Sequence, residues 1–430
     1  MKIPQFIRGN LLLKMTSLNA GVIGVRFVIS LFIQRLIAQY LGETGVSKIG
    51  QLRNLSELLT SFSSLGMFNG VVKYVAEHKE NKEKLQKLFS TVFVLSLIGI
   101  ISTSIVLFIF SESISVYLFT TADFSYLIKL TAVVVPFISL NRIFSGVVNG
   151  LSQYKKFAKI ELFGYIATAV LTVFFLFNFN IDGVLVAIAV TPIIQLATLL
   201  FVFFKVLKEY VAFKNLNWKT PMLKMLLSFS IMSFFSTVLL NYVSIEIRAM
   251  IIKRITEADA GIWTAMTNIS KNYMVFSSAI FTLYVLPKYA AIHSKKDFTK
   301  ELMVIFKTLL PLFGIGMLLI YFLRDYVIQI VYPGFNEMAP LFKWQLAADF
   351  LRLITIILGY QFIAKKLVLN FIFSEVISLI IYFGLARYFV DIYGIEGVVV
   401  ANFIRYVIVI FIVLFLVYRY FQKSKDGKAV

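Results

Sequence analysis

The sequence predicts an all-α, polytopic membrane protein of twelve spanning helices built as two parallel six-helix halves. Three observations carry this: too few charges, long apolar runs, and an internal repeat. Hydrophobic types make up 59% of the 430 residues and charged types only 15%. A soluble domain carries roughly 25% charged residues, so a soluble core of this size would lack a surface to cover it. The mean hydropathy is +0.86, and 44 Phe and 21 Tyr deepen the apolar excess. The apolar runs are long and do not alternate, which suits helices and not a barrel. A soluble enzyme and a disordered chain are both excluded.

A helix needs roughly 20 apolar residues to cross the hydrocarbon. Runs of that kind centre near Val28, Phe62, Ile98, Val135, Val170, Leu196, Ser236, Val275, Gly314, Ile354, Ile380 and Val409. Those near Phe62, Val275 and Ile354 are the most polar. The N-terminus, Met1 to Asn10, is short and polar, and no removable signal peptide is expected there.

Twelve spans return both termini to one side. On alternate loops, the N-terminus, Lys73–Lys87, Lys155–Lys159, Lys205–Lys224, Lys288–Lys300, Lys365–Lys366 and Arg419–Lys428 hold 26 Lys and Arg. The opposite loops hold five: Arg248, Lys253, Arg254, Arg324 and Arg387. This asymmetry predicts cytoplasmic termini. Most of the net charge of +20 is therefore topology, and nucleic acid is not an expected partner. The outer loops are short. With no Cys there is no disulfide or thiolate chemistry.

The chain repeats itself at half its length. Lys73-Tyr74-Val75-Ala76-Glu77-His78 matches Lys288-Tyr289-Ala290-Ala291-Ile292-His293 at an offset of 215. At an offset of 214, Leu127–Leu130 matches Leu341–Trp344, Glu161 matches Glu375, and Ile181-Asp182-Gly183 matches Ile395-Glu396-Gly397. Six spans per half return the chain to its starting side. The halves, 1–210 and 211–430 with a polar link over 208–220, are thus expected to be parallel repeats. That is a transporter plan, with a substrate path between the halves.

Eleven cations remain in or at the ends of spans: Arg26, Arg35, Lys48, Arg53, Lys129, Arg142, Lys271, Lys307, Lys343, Arg352 and Arg405. Four acids sit similarly: Glu57, Glu161, Asp349 and Glu375. An intramembrane charge costs about 2.5–3.5 kcal/mol, so these groups should face a polar interior. Lys48, Lys129, Lys307 and Lys343, near span ends, can snorkel instead. Arg26, Arg53, Lys271 and Arg352 cannot easily do so.

Helical spacing supports a cavity. Arg53, Glu57, Ser61 and Ser64 share one face, as do Gln345, Asp349 and Arg352. Thr264, Thr267, Asn268, Lys271 and Asn272 form another face, and Ser230, Ser233, Thr237, Asn241 and Ser244 a polar stripe. Asn19, Arg26 and Ser30 line up in the first span. Ser and Thr faces also serve as glue between helices. A cation-lined cavity attracts anions, and guanidinium suits phosphate and carboxylate. Arg26, Arg35, Arg53, Arg142, Lys271, Arg352 and Arg405 are the substrate-binding candidates. Asp349 and Glu57 either hold neighbouring cations or take up a proton or Na⁺. The sequence shows no catalytic triad, metal cluster or nucleotide loop, so neither an enzyme nor a cofactor is expected.

Several stretches resemble one family. They are Gly66-Met67-Phe68-Asn69-Gly70-Val71-Val72-Lys73-Tyr74-Val75-Ala76-Glu77, Gly261-Ile262-Trp263, Tyr284-Val285-Leu286-Pro287, Leu323-Arg324-Asp325, Trp344-Gln345-Leu346 with Asp349, and Gly359-Tyr360 with Ile363-Ala364-Lys365. Together they resemble Wzx-type flippases, the O-antigen and enterobacterial-common-antigen translocases of bacterial inner membranes, over nearly the whole chain. The resemblance implies the V-shaped, two-lobed fold of the multidrug/oligosaccharidyl-lipid/polysaccharide (MOP) exporters, which includes MATE transporters, and alternating access. It implies an undecaprenyl-diphosphate-linked oligosaccharide as substrate, coupling to protons or cations, and contact with a glycan polymerase and a chain-length regulator. Arg26, Arg35 and Arg53 fall where such proteins carry basic residues, and Arg352 follows Asp349 as a basic residue does there. Arg405 and Lys271 have no clear counterpart. Two other readings compete. A MATE-like cation or drug antiporter should show an acidic cavity. A membrane-embedded glycan polymerase or ligase should show large outer loops.

Overall fold

The computed structural model describes residues 11–211, 213, 216–292 and 294–425. The side chains of Asn19, Ser233 and His293 lie outside the described residues, as do the ten N-terminal residues. Among the described residues there is no strand. The helices are α1 (Leu11–Ser64), α2 (Phe68–His78), α3 (Lys82–Ile109), α4 (Ser111–Phe119), α5 (Ser125–Gly150), α6 (Tyr154–Tyr210), α7 (Leu223–Arg254), α8 (Glu257–Ile280), α9 (Leu286–Ala291), α10 (Lys295–Phe322), α11 (Arg324–Val331), α12 (Leu341–Ala364) and α13 (Val368–Lys425). A π-helical turn, Phe281–Val285, joins α8 to α9.

Eight of these helices are long and apolar enough to cross a membrane. Three of the eight, in α1, α6 and α13, are each interrupted by one residue outside helical φ/ψ: Gly42, Asn180 and Gly394. Either side of each break is long enough to span by itself. The protein also exposes large apolar side chains that water would not tolerate, such as Phe201 at 92% and Phe411 at 67%. It is a multi-pass membrane protein.

Contacts divide the described chain into two compact units. The first holds the residues up to Leu41 with Lys48–Tyr242, and the second Gly42–Ser47 with those from Val243 on. The boundary lies inside α7, beyond the link expected over 208–220. The reason is that the link and the start of α7 are fastened to the first unit. The Asn217 and Met222 amides donate to Ser90 Oγ (3.4 Å) and Thr91 Oγ1 (3.2 Å) of α3. Gly66, at φ 67°, lets the turn after α1 approach the Ser230 carbonyl of α7, which a methyl there would meet at 2.7 Å. An apolar core from α2, α3, α5, α6 and the start of α7 packs here, with Met67, Val71, Leu88, Val147, Phe203 and Leu226 at its centre.

Each unit carries the same order of elements. Asn81 caps α3 by accepting from the Lys84 amide, and Ser294 caps α10 by accepting from Asp297. Both helices have 28 residues. Each then breaks and continues into a short helix, α4 or α11. Ser152 and Lys366, 214 apart, both turn the chain at φ 55°. Asn180 (φ 50°, ψ −134°) and Gly394 (φ 57°, ψ −140°), again 214 apart, break the long helices in the same conformation. Three residues on, a methyl on Gly183 would meet the Phe175 carbonyl at 2.4 Å, and one on Gly397 the Phe389 carbonyl at 2.2 Å. The repeat read from the sequence is thus a repeat of backbone turns as well.

Candidate functional site

Charged and aromatic side chains inside the helices gather into one cluster in each unit. In the first unit, α1 supplies Arg26, and α6 supplies Glu161 and Tyr165. Arg26 Nη1 donates to Glu161 Oε2, and its guanidinium lies 4.9 Å from the Tyr165 ring centroid. Arg142, on α5, stacks over Phe68 at 3.9 Å. The carboxylates of Glu57 and Glu161 both act on Arg142 electrostatically. Glu161 is thus shared between two guanidiniums. Asn141 Nδ2 donates to Gln195 Oε1 at 3.2 Å, so α5 and α6 are also bridged by neutral groups.

In the second unit the centre is Asp349, on α12, only 1% exposed. Its Oδ2 accepts from Ser270 Oγ (2.6 Å), Gln345 Nε2 (3.1 Å) and the Tyr273 hydroxyl. Its Oδ1 is left to Arg352, whose Nη1 stands 4.0 Å away. Three neutral donors on one oxygen hold the carboxylate in place, and the looser ion pair leaves Arg352, 35% exposed, able to meet another anion. Arg405, on α13, is buried. Its Nε donates to Ser378 Oγ at 2.7 Å, and its guanidinium lies between the rings of Tyr382 (5.2 Å) and Tyr406 (4.7 Å). Glu375 is the carboxylate that Arg405 and Arg352 share electrostatically.

The candidates therefore sort themselves. Arg26, Arg142 and Glu57 come together in the first unit, and Arg352, Arg405 and Asp349 in the second. Arg35 is half-buried, and Arg53 and Lys271 are exposed. Much of the expected polar lining is turned inward on its own helix. Ser64, Ser230, Asn241 and Thr264 donate to carbonyls four residues back.

The structure adds residues that the sequence reading missed. Arg248, counted above with the outer loops, is within α7 and 3% exposed; its Nε donates to Thr264 Oγ1 at 2.8 Å, and it lies 5.2 Å from the Trp263 ring. The signal was present: Arg248 continues the Asn241–Ser244 stripe by one more helical turn. Tyr273 and Ser270, the ligands of Asp349, sit beside Lys271 on α8 but on a different face. A tyrosine in a chain with 21 of them carries no such signal.

Among known proteins, the model for polysaccharide biosynthesis proteins matches residues 52–339. The lipid III flippase of Escherichia coli (strain K12) is 25% identical over 386 residues, covering 89% of this chain and 92% of the relative. The lipid III flippase of Shigella flexneri matches to the same extent. Among solved structures, an inward-facing MATE-family multidrug resistance transporter of the MOP superfamily superposes with a TM-score of 0.82 at 13% identity, over 94% of this chain and 96% of the other. The lipid II flippase MurJ, in an inward closed conformation, gives 0.72 at 16% identity, over 94% and 89%. These structural likenesses establish the fold, that of the MOP transporters, as the resemblance implied. With its family model spanning two thirds of the length, the chain belongs to the polysaccharide biosynthesis protein family.

Proposed function

We propose that this protein is a flippase that carries a lipid-linked oligosaccharide across the bacterial inner membrane by alternating access. The single observation that carries the reading is the nearly full-length similarity to lipid III flippases. The cations within the helices supply the chemistry. A diphosphate and its sugars are too polar to cross hydrocarbon unaided, whereas a polyprenyl tail can stay in lipid. Arg26, Arg35, Arg53, Arg142, Lys271, Arg352 and Arg405 offer the phosphates charge-assisted donors. The half-buried Tyr165 ring beside Arg26 offers an apolar face to sugars.

The finer reading is an undecaprenyl-diphosphate-linked repeat unit such as O-antigen, moved from the cytoplasmic to the periplasmic leaflet. Twelve spans, in repeats 1–210 and 211–430, place both termini in the cytoplasm. Asp349, with Glu57 as second candidate, couples transport to a proton or Na⁺ by changing how freely Arg352 meets phosphate. A glycan polymerase and a chain-length regulator are the proposed neighbours. No covalent bond is made or broken.

One observation favours a second reading, a drug antiporter: the TM-score of 0.82 is to a multidrug transporter. The excess of buried guanidinium over carboxylate argues against a cationic cargo. The test is flipping of fluorescent undecaprenyl-diphosphate oligosaccharide in proteoliposomes beside efflux of a cationic dye. Dye efflux without glycan flipping would overturn the flippase reading.

A further inference from the structure

The stretch between α6 and α7 is more than a connection. Its ends are buried, Val211 and Met222 being part of the apolar core of the first unit. Its middle is turned outward. Trp218 is 75% exposed, although its edge meets the Phe93 ring at 5.8 Å. Phe213, 43% exposed, leans edge-on against Phe144 at 6.3 Å. The Asn217 and Met222 amides tie this strap to Ser90 and Thr91 of α3, so the aromatic rings are held in place.

Depth can be read from α3. Its last charged residue is Lys87, and Phe93 lies six residues further into the apolar stretch, about 9 Å along the axis. Trp218, resting on Phe93, therefore sits below the lysines, towards hydrocarbon. On either side of it in sequence, Lys205 and Lys208 at the end of α6, Lys219 on the strap and Lys224 on α7 are all exposed, with Glu209 as the exposed acid among them. A tryptophan beyond Lys87 along α3, flanked in sequence by exposed ammonium groups, fits phospholipid: the indole reaches the acyl boundary and the lysines meet phosphates.

We propose that the strap, centred on Trp218, binds anionic phospholipid headgroups in the leaflet beside the lysine-rich loops. Zwitterionic lipid fills the same space but gains nothing from the excess ammonium charge. Each lysine near an anionic surface contributes about fivefold in affinity at low salt.

The experiment uses the full chain in nanodiscs of phosphatidylcholine with one quarter phosphatidylglycerol. Lipids retained through purification are counted by mass spectrometry, and tryptophan quenching is read with brominated phosphatidylcholine. The wild type is expected to retain phosphatidylglycerol several-fold above its bulk share. Lys219→Gln with Lys224→Gln should lower that enrichment at least threefold, and 1 M salt should abolish it. Trp218→Phe should remove a quenchable component, leaving Trp263 and Trp344. Unchanged enrichment in the double variant, or unchanged quenching without Trp218, overturns the proposal. Neither readout uses a transport substrate, so this result stands apart from the flippase reading.

Discussion

Arg26 and Glu161 are 135 residues apart in sequence and joined in space. Both are partly exposed, so the pair itself is worth about 1 kcal/mol in stability. In the proposed flippase its larger role is to aim a guanidinium. Exchanging the charges, Arg26→Glu with Glu161→Arg, should restore the thermal stability that either single change loses. Glycan flipping should stay at least tenfold down, because the guanidinium has moved to another helix. Equal rescue of both would make the pair structural only. Asp349 supports a second test. Asp349→Asn keeps an oxygen for Ser270, Tyr273 and Gln345 and removes the charge, so the fold should hold while imposed proton or Na⁺ gradients lose their effect on flipping. Asp349→Leu strands three buried donors and should cost about 3 kcal/mol or more in detergent melts. At this scale the sequence was partly legible. Residue type and helical spacing picked out Asp349 and Arg352 on one face. They could not show that Ser270 and Tyr273 would complete the site, because that depends on how α8 rotates against α12. Arg248 was misplaced because six residues, too few to reveal that the helix continues, separate it from the loop.

Among the elements, the interrupted helices make the sharpest predictions. Gly183→Ala and Gly397→Ala each push a methyl into a carbonyl, and thermal unfolding should show a loss of about 2–3 kcal/mol. Gly394→Ala strains a residue at φ 57° and should cost about 1–2 kcal/mol. Asn180→Gly runs the other way: it relieves the same strain and should be neutral or slightly stabilising. The apolar runs already placed two spans in each of these long helices, near Val28 and Phe62, Val170 and Leu196, and Ile380 and Val409, but they did not say which residues would break the helix. The short helices α4 and α11 were not foreseen. Each follows its long neighbour after one residue and mixes polar with apolar side chains, which reads as loop. α8 falls short of the apolar helices because Lys271 and its polar neighbours dilute it, so the most polar spans were the hardest to see.

For the whole molecule, composition settled the class, since no other solvent accepts so much exposed apolar surface. The clusters needed the structure, because local periodicity cannot say which distant helices become neighbours. The proposed topology has a direct measurement. The chain holds no Cys, so a single introduced thiol is the only one to label. Cysteines replacing Thr121 or Asn336 should react with an impermeant maleimide on intact cells. Those replacing Lys79 or Lys155 should react only after the membrane is opened. A reversed pattern at any of the four would break the twelve-span scheme.

Ser152 and Lys366 share a left-handed φ of 55° yet nothing in their side chains. A gene doubled and joined to itself loses its likeness fastest where only side-chain identity is at stake. It loses it slowest where the path of the chain is fixed by everything packed around it. At this turn one position carries a hydroxyl and the other an ammonium on the same bend. Kinship between repeated halves is therefore better traced through such bends than through letters. Relatives whose sequences no longer align should still bend at the position equivalent to Ser152.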